Sequence, residues 1–190
     1  TKRKVTLTSE TASKAYDGTA LTKPEVTVGG DGFVDGEVEG IKAIGTITNV
    51  GGPVANPIEY TGVEGKFNAG NYKIQKQEGT LTITKAGSLG LTVEGAERKY
   101  NGEPLSAAKV EASVTEGTTI SYSTDDGSTW TAEAPSITKA GTLNVKVKAE
   151  NPNYETVEEA YKLKVTKRKV TLTSETASKA YDGTALTKPE

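Results

Sequence analysis

The chain has 190 residues, of which 34% are hydrophobic and 25% charged, and its formal net charge is −2. It contains no Cys, Met or His, which excludes thiol nucleophiles, imidazole bases and most ligand sets for transition metals. Lys and Glu are mixed along the chain, so there is no basic stripe for nucleic acid and no polybasic run for a membrane surface. The sequence therefore predicts a non-enzymatic protein without nucleic-acid or membrane partners.

Short strands are predicted along the whole chain by a period-two alternation of apolar and polar residues. The alternation is clearest at residues 5–8, 79–84, 143–148 and 161–165. A weaker pattern at residues 153–163, where Asn153 could act as an N-cap, is disfavoured as a short helix. Because Gly, Thr and Val are also frequent, we predict an all-β fold with many turns.

A Gly-rich segment at residues 29–39 concentrates acidic side chains. Carboxylate oxygens are the ligands that Ca²⁺ prefers, so the metal candidates are Asp31, Asp35, Glu37 and Glu39. The segment lacks the spacing of an EF-hand loop, which favours a solvated acidic loop over a weak Ca²⁺ site. We expect no other cofactor.

Residues 120–130 are predicted to form a β-hairpin. Asp126 and Gly127 supply the turn residues with positive φ that such a hairpin needs. Trp130, the only Trp of the chain, follows the turn and could form a ligand-binding platform with Tyr122. The favoured alternative is that Trp130 packs in a core, as a single Trp in a small unit usually does.

The strongest signal is a tandem repeat. Residues 1–25 recur without a single change at residues 166–190, so the two copies start 165 residues apart. Identity over so long a stretch indicates a recent duplication, and therefore a parent chain with several near-identical copies.

An older repeat lies inside this period. Tyr16-Asp17-Gly18 matches Tyr100-Asn101-Gly102 at a spacing of 84 residues, and Asn71-Tyr72 matches Asn153-Tyr154 at a spacing of 82. An Ile-Thr-x-x-Gly segment lies between these landmarks in both halves. Each Tyr-x-Gly segment is interpreted as an architectural turn, against the alternative of a recognition surface that stacks on sugar.

These landmarks divide the chain into a first β-module at residues 1–84, a second, diverged β-module at 85–166, and the incomplete start of the next copy of the first module at 167–190. We expect two small, elongated modules in tandem, each an immunoglobulin-like sandwich or a related β-rich fold. The junctions at residues 85–86 and at Lys167 are too short to behave as flexible coils, which predicts a restricted angle between modules. Each module would extend an array by roughly 35 Å.

The ordered landmarks, Tyr-Asp/Asn-Gly, Ile-Thr-x-x-Gly and Asn-Tyr, resemble the YDG and MBG-type repeats of bacterial surface proteins. The resemblance covers both modules and implies a small β-domain, repeated in the extracellular part of adhesin-like proteins that are often anchored to the cell wall of Gram-positive bacteria. It brings no catalytic residue. The function it implies is a structural stalk that projects a distal binding region; the alternative is an adhesive module that itself binds host glycan, mucin or matrix protein weakly through repeated sites.

Self-association is a further expectation. Residues 166–190 are too few to make a core, but they duplicate the segment that opens the first module. They could displace that segment in a neighbouring molecule and link chains head to tail. Surface stalks of this broad group sometimes carry a Lys-to-Asn isopeptide bond, and the spacing of Lys and Asn here singles out no pair.

Overall fold

The protein is described by a computed structural model over residues 1–187. Within these residues it forms 18 β-strands and one short 3₁₀ helix, with no α-helix and no helix that could cross a membrane. The sheets are of the β-sandwich type, which confirms the predicted all-β fold. Residues 153–163, where the sequence disfavours a short helix, lie largely in strands.

The strands are numbered in chain order. They are β1 Arg3–Ser9, β2 Ala12–Ala15, β3 Leu21–Thr22, β4 Val26–Gly30, β5 Val38–Ala43, β6 Thr46–Ile47, β7 Gly51–Asn56, β8 Ile58–Gly62, β9 Tyr72–Gln77, β10 Gly79–Thr84, β11 Ala86–Ser88, β12 Leu91–Glu94, β13 Ala96–Lys99, β14 Lys109–Ala112, β15 Thr119–Ser123, β16 Gly141–Glu150, β17 Tyr154–Glu155 and β18 Val157–Thr166. The 3₁₀ helix is Ala69–Asn71.

The strand pairings fall into two sets. Strands β1–β10 form the sheets β4-β1-β9, β2-β10-β7, β3-β6 and β5-β8. Strands β11–β18 form the sheets β13-β18-β16-β15, β12-β14 and β11-β17. Every strand pairing among residues 1–187 joins two strands of the same set.

Each set contains two parallel strand pairings. In the first set β1 runs parallel to β9 and β2 runs parallel to β10. In the second set β11 runs parallel to β17 and β13 runs parallel to β18. The same backbone hydrogen bond closes each set, from the N–H of Tyr16 to the carbonyl of Thr84 (2.9 Å) and from the N–H of Tyr100 to the carbonyl of Thr166 (2.8 Å).

Each set has its own buried apolar clusters, because the alternating strands turn one face inward. Two clusters lie in the first set; their buried members are Val5, Leu7, Ile58 and Tyr72 in one, and Leu21, Leu81 and Ile83 in the other. The buried members of the cluster in the second set are Val145, Val147, Tyr161 and Leu163. No cluster of the described residues contains residues of both sets.

The chain after β18 forms no strand as far as residue 187. Val170 and Leu172 are 74% and 91% exposed there, although their counterparts Val5 and Leu7 in the first copy are 1% and 0% exposed. The last three residues of the predicted third segment, 188–190, lie outside the described part of the chain.

Candidate functional site

An aromatic contact joins the two strand sets. Tyr16 lies at the end of β2, and its ring meets the ring of Tyr154 in β17 edge to face, with 5.6 Å between centroids and an interplanar angle of 77°. Edge-to-face pairs of this kind stabilise packing beyond the area that they bury. Tyr16 also packs against the cluster formed by Leu21, Leu81 and Ile83. Its ring therefore links this cluster of the first set to β17 of the second set.

Asn153 connects the two sets by hydrogen bonds. Its Oδ1 accepts a hydrogen bond from the N–H of Val50 (3.0 Å), and its Nδ2 donates to Oδ1 of Asn49 (3.4 Å). Its own carbonyl accepts from the N–H of Ala86, the first residue of β11 (2.9 Å). One residue thus contacts the turn between β6 and β7 in the first set and the first strand of the second set.

The loop that carries Asn153 is itself fixed by a buried amide. Asn151 is 7% exposed, and its Nδ2 donates to the carbonyl of Glu116 and to Oγ1 of Thr118, at 3.0 and 2.9 Å. Its Oδ1 accepts from the N–H of Asn153. Because its donors and acceptor are used, Asn151 holds the connecting residues in place.

Asp17 closes the first Tyr-x-Gly turn. Its Oδ1 accepts from the N–H of Thr19 (2.9 Å), from Oγ1 of Thr19 (2.7 Å) and from Nζ of Lys14 (2.8 Å). These hydrogen bonds, with that of Lys14 first, hold the pKa of Asp17 well below its usual range. Gly18 has φ +80°, a conformation that favours glycine. The geometry is that of a turn whose polar groups are used internally.

The second Tyr-x-Gly turn has the same form. Oδ1 of Asn101 accepts from the N–H of Glu103 at 3.1 Å, and Gly102 has φ +90°. Tyr100 differs from its counterpart Tyr16, because it is 43% exposed whereas Tyr16 is half-buried beside Tyr154.

The turn after β15 forms as the sequence predicts. Asp126 and Gly127 have φ +62° and +94°. The side chain of Asp125 accepts from Ser123 Oγ (2.7 Å) and from Thr129 (2.9 and 2.7 Å), and these hydrogen bonds lower its pKa to about 2. The chain returns through a single antiparallel bridge between Tyr122 and Thr131, so the hairpin is shorter on its second side than its sequence suggests.

Tyr122 and Trp130 take different positions. Tyr122 packs against the core of the second set. Trp130 is half-buried, and Nζ of Lys148 lies 4.8 Å from its ring centroid. Lys148 stands between the buried Val147 and Ala149, so Trp130 covers the opposite, polar face of the sheet. The two side chains proposed as one platform therefore face different surroundings.

The acidic segment connects β4 to β5 in the first set. The carboxylate of Asp31 accepts from the N–H of Lys4 (2.8 Å), and the carboxylate of Glu37 accepts from the hydroxyl of Tyr72 (2.5 Å). The hydrogen bond to Glu37 raises the pKa of Tyr72. Asp35 and Glu39 lie in the same segment, in the turn before β5 and within it.

The acidic side chains of residues 1–187 do not converge at a single site. Over residues 1–187 no three His, Cys, Asp or Glu side chains are placed to hold a metal ion. The buried amides of Asn56 and Asn151 donate to main-chain carbonyls and, for Asn151, to a Thr hydroxyl. Asp125 and Asp126, adjacent in sequence, belong to the turn described above, and Asp126 pairs with Lys146 at 2.8 Å.

No protein-family model matches the chain, and no curated protein matches it.

The connecting role of Asn153 and Tyr154 is not evident from the sequence alone. The available signal is that Asn-Tyr recurs near the end of each half. The partners of the pair, Asn49, Val50 and Tyr16, are more than 100 residues away in the chain, and no local pattern identifies them.

Proposed function

We propose that the chain is a non-enzymatic stalk segment of a bacterial surface protein, in which repeated units project a distal binding region from the cell wall. The units are residues 1–84 and 85–166, and residues 167–190 begin the next copy of the first. The observation that carries this proposal is the parallel pairing of two early strands of each set with its last two strands.

Parallel pairing puts the entry and the exit of the chain at opposite ends of each unit. In the first unit the chain enters where Arg3 pairs with Tyr72 and leaves where Tyr16 bonds to Thr84. An antiparallel pairing would bring entry and exit together and would make a folded-back array. With a rise of about 3.3 Å per residue, the path from Tyr72 to Thr84 has a contour length of about 40 Å, which is the largest advance that the chain can make per unit.

The contacts between the sets support a stiff joint. Tyr16 packs on Tyr154, Asn153 accepts from Val50, and only Lys85 separates β10 from β11. A chain with a polar contact, an aromatic contact and a one-residue linker has few conformations to explore. Each additional repeat would then increase the distance that the stalk spans.

The extracellular, cell-wall location follows from the resemblance of the motif set to YDG and MBG-type repeats. The lack of Cys is compatible with an exported protein that is stabilised without disulfides. The partners in this proposal are neighbouring repeats of the same chain.

Spin-label distance measurements test the stiff joint. Labels are placed at Gln75 in β9 and Lys162 in β18, both exposed and both replaceable by Cys in a chain that has none. We expect one narrow distance distribution. Replacing Asn153 and Tyr154 together by Ala should broaden it, whereas Asn71→Ala, at the exposed counterpart of Asn153, should leave it unchanged.

A broad distribution in the unmodified joint would contradict the stiff-spacer proposal. A narrow distribution that survives loss of the Asn153 and Tyr154 side chains would show that other contacts hold the units.

A second candidate function is weak adhesion to host glycan, mucin or matrix protein. The observation that favours it is the half-buried Trp130 on a polar sheet face, because an aromatic ring in that position can stack on a sugar ring. Binding of a tandem array to immobilised mucin that increases with copy number and decreases in Trp130→Ala would support it. Thr142→Ala, an exposed strand position on the same sheet, serves as the control.

A further inference from the structure

The two Tyr-x-Gly turns differ in the charges that they bring together. In the first turn Nζ of Lys14 donates to Oδ1 of Asp17 at 2.8 Å, and the two side chains form an ion pair. In the second turn the corresponding side chains are those of Arg98 and Asn101. The second turn therefore keeps the cation of the first and has a neutral amide in place of its carboxylate.

The guanidinium group of Arg98 is only partly satisfied. Its Nη2 donates to the carbonyl of Glu103, but its Nε is buried and has no hydrogen-bond partner among residues 1–187. A buried donor of a charged group that lacks an acceptor costs stability. Asn101 does not supply the acceptor, because its Oδ1 accepts from the N–H of Glu103 at 3.1 Å and its Nδ2 is itself a donor.

The neighbour of Asn101 makes this amide chemically reactive. Asn101-Gly102 is the only Asn-Gly pair among the 190 residues, and both residues are exposed. A Cβ placed on Gly102 would meet nothing within 4 Å, so the main chain is open to approach at this point. Asp17 and Gly18 are also exposed although the second strand set follows them, so exposure is a property of this turn.

We propose that Asn101 is a site of spontaneous deamidation and that the aspartate formed there pairs with Arg98. The turn of the second unit then acquires the ion pair that the turn of the first unit already has. This inference is independent of the stalk proposal, which would stand if Asn101 were inert.

The reaction consumes water and releases ammonia. The main-chain nitrogen of Gly102 attacks Cγ of Asn101, the bond from Cγ to Nδ2 breaks, and ammonia leaves with the proton of the Gly102 N–H. Water then opens the cyclic imide and returns a proton to the Gly102 nitrogen. Opening at Cγ gives aspartate in a normal main chain, and opening at the main-chain carbonyl gives isoaspartate. Nothing is oxidised or reduced.

The aspartate product suits the turn better than the amide does. One carboxylate oxygen can keep the hydrogen bond from the N–H of Glu103, and the other can accept from Arg98. In the first turn the hydrogen bond from Lys14 holds the pKa of Asp17 below its usual range, so a neighbouring cation stabilises a carboxylate in this geometry. Conversion to aspartate therefore stabilises the second unit.

Peptide mass mapping of the full chain after incubation at mildly alkaline pH tests the reaction. We expect Asn101 to convert at least about tenfold faster than Asn71, an exposed asparagine that is followed by Tyr72, because only glycine leaves the attacking nitrogen unhindered. Gly102→Ala should slow the conversion of Asn101 to the rate of Asn71. Equal rates at Asn101 and Asn71 in the wild-type chain would overturn the proposal.

Thermal unfolding of Asn101→Asp, which carries the product side chain, tests the ion pair. Its midpoint should lie about 2–4 °C above that of the wild type at low ionic strength, as expected for a partly exposed ion pair in a small unit. The gain should vanish when Arg98→Gln is also present. Asp17→Asn, the reverse change in the first turn, should lower the midpoint.

An unchanged or lower midpoint in Asn101→Asp, or a gain that persists with Arg98→Gln, would refute the pairing with Arg98. The salt dependence decides the case in which Arg98→Gln does not fold. The gain of Asn101→Asp should shrink as the ionic strength rises, and a gain that is insensitive to salt would refute the pairing as well.

Discussion

Residues 1–22 and 166–187 have the same sequence and different structures. The first copy forms β1, β2 and β3, whereas residues 167–187 of the second form no strand. The difference lies in the partners: β1 has β4 and β9 beside it, and residues 168–174 have neither. Strand formation by this repeated segment is therefore decided by residues that are distant in the chain and not by local preference.

The turn that follows behaves in the opposite way. Asp182 accepts from the N–H of Thr184 at 3.0 Å and from Lys179 at 2.8 Å, as Asp17 does from Thr19 and Lys14. Gly183 has φ +79°, against +80° at Gly18. The Asx turn thus forms in a segment that packs against no core, because all its hydrogen bonds are local.

Leu7→Ala and Leu172→Ala form the sharpest matched pair. Leu7 is fully buried, so its truncation should cost about 2–5 kcal/mol of the free energy of unfolding. Leu172 is 91% exposed, and its truncation should change stability by less than about 0.5 kcal/mol. Urea unfolding at low protein concentration measures both, and equal costs would mean that the second copy is packed.

The free energies of unfolding of Tyr16→Ala and Tyr181→Ala should differ by less than those of the Leu7 and Leu172 variants. Tyr16 is half-buried between its core and Tyr154, so the loss should be about 1.5–3 kcal/mol. Tyr181 is 97% exposed and should be neutral. The midpoints of thermal unfolding of the two variants are compared. An unchanged midpoint in Tyr16→Ala would show that the contact between Tyr16 and Tyr154 does not stabilise the joint.

Gly18→Ala should cost about 1–2 kcal/mol, because an L side chain is disfavoured at φ +80°. Gly183→Ala introduces the same local strain but should leave the midpoint of global unfolding unchanged, since residues 167–187 form no strand. Its effect should instead appear in the backbone chemical shifts of residues 182–184. An unfolding midpoint lowered equally by both changes would contradict this separation.

The smallest expected effect is on pH dependence. Hydrogen bonds, first that of the neighbouring Lys, hold the pKa of both Asp17 and Asp182 below the usual range. A depressed carboxyl pKa contributes stability above the unfolded value near 3.9, and that contribution is lost as the pH falls below it. Carbon-detected titration should show both carboxyls depressed, and Asp17→Asn should flatten the acid limb of the stability curve more than Asp182→Asn does.

Much of the fold could be predicted from the sequence where the cause is local. Alternation at residues 79–84 predicts β10 with both its bounds, and Asp126-Gly127 predicts a turn with two positive φ angles. The parallel pairing of β1 with β9 could not be predicted, since it joins strands that are far apart in the sequence. The surroundings of Trp130 could not be predicted either, because no local pattern indicates that its ring lies against Lys148 of β16.

The distance between the two ends of the folded part of the chain tests the end-to-end arrangement most directly. Dyes at Asp35, beside the entry of the first unit, and at Glu103, beside the exit of the second, report this distance by single-molecule energy transfer. If residues 1–84 and 85–166 are units stacked end to end, each advancing the chain by at most about 40 Å, the separation should approach about 80 Å with a single narrow population. A separation of about 40 Å or less, as in units folded back on each other, would contradict the end-to-end arrangement.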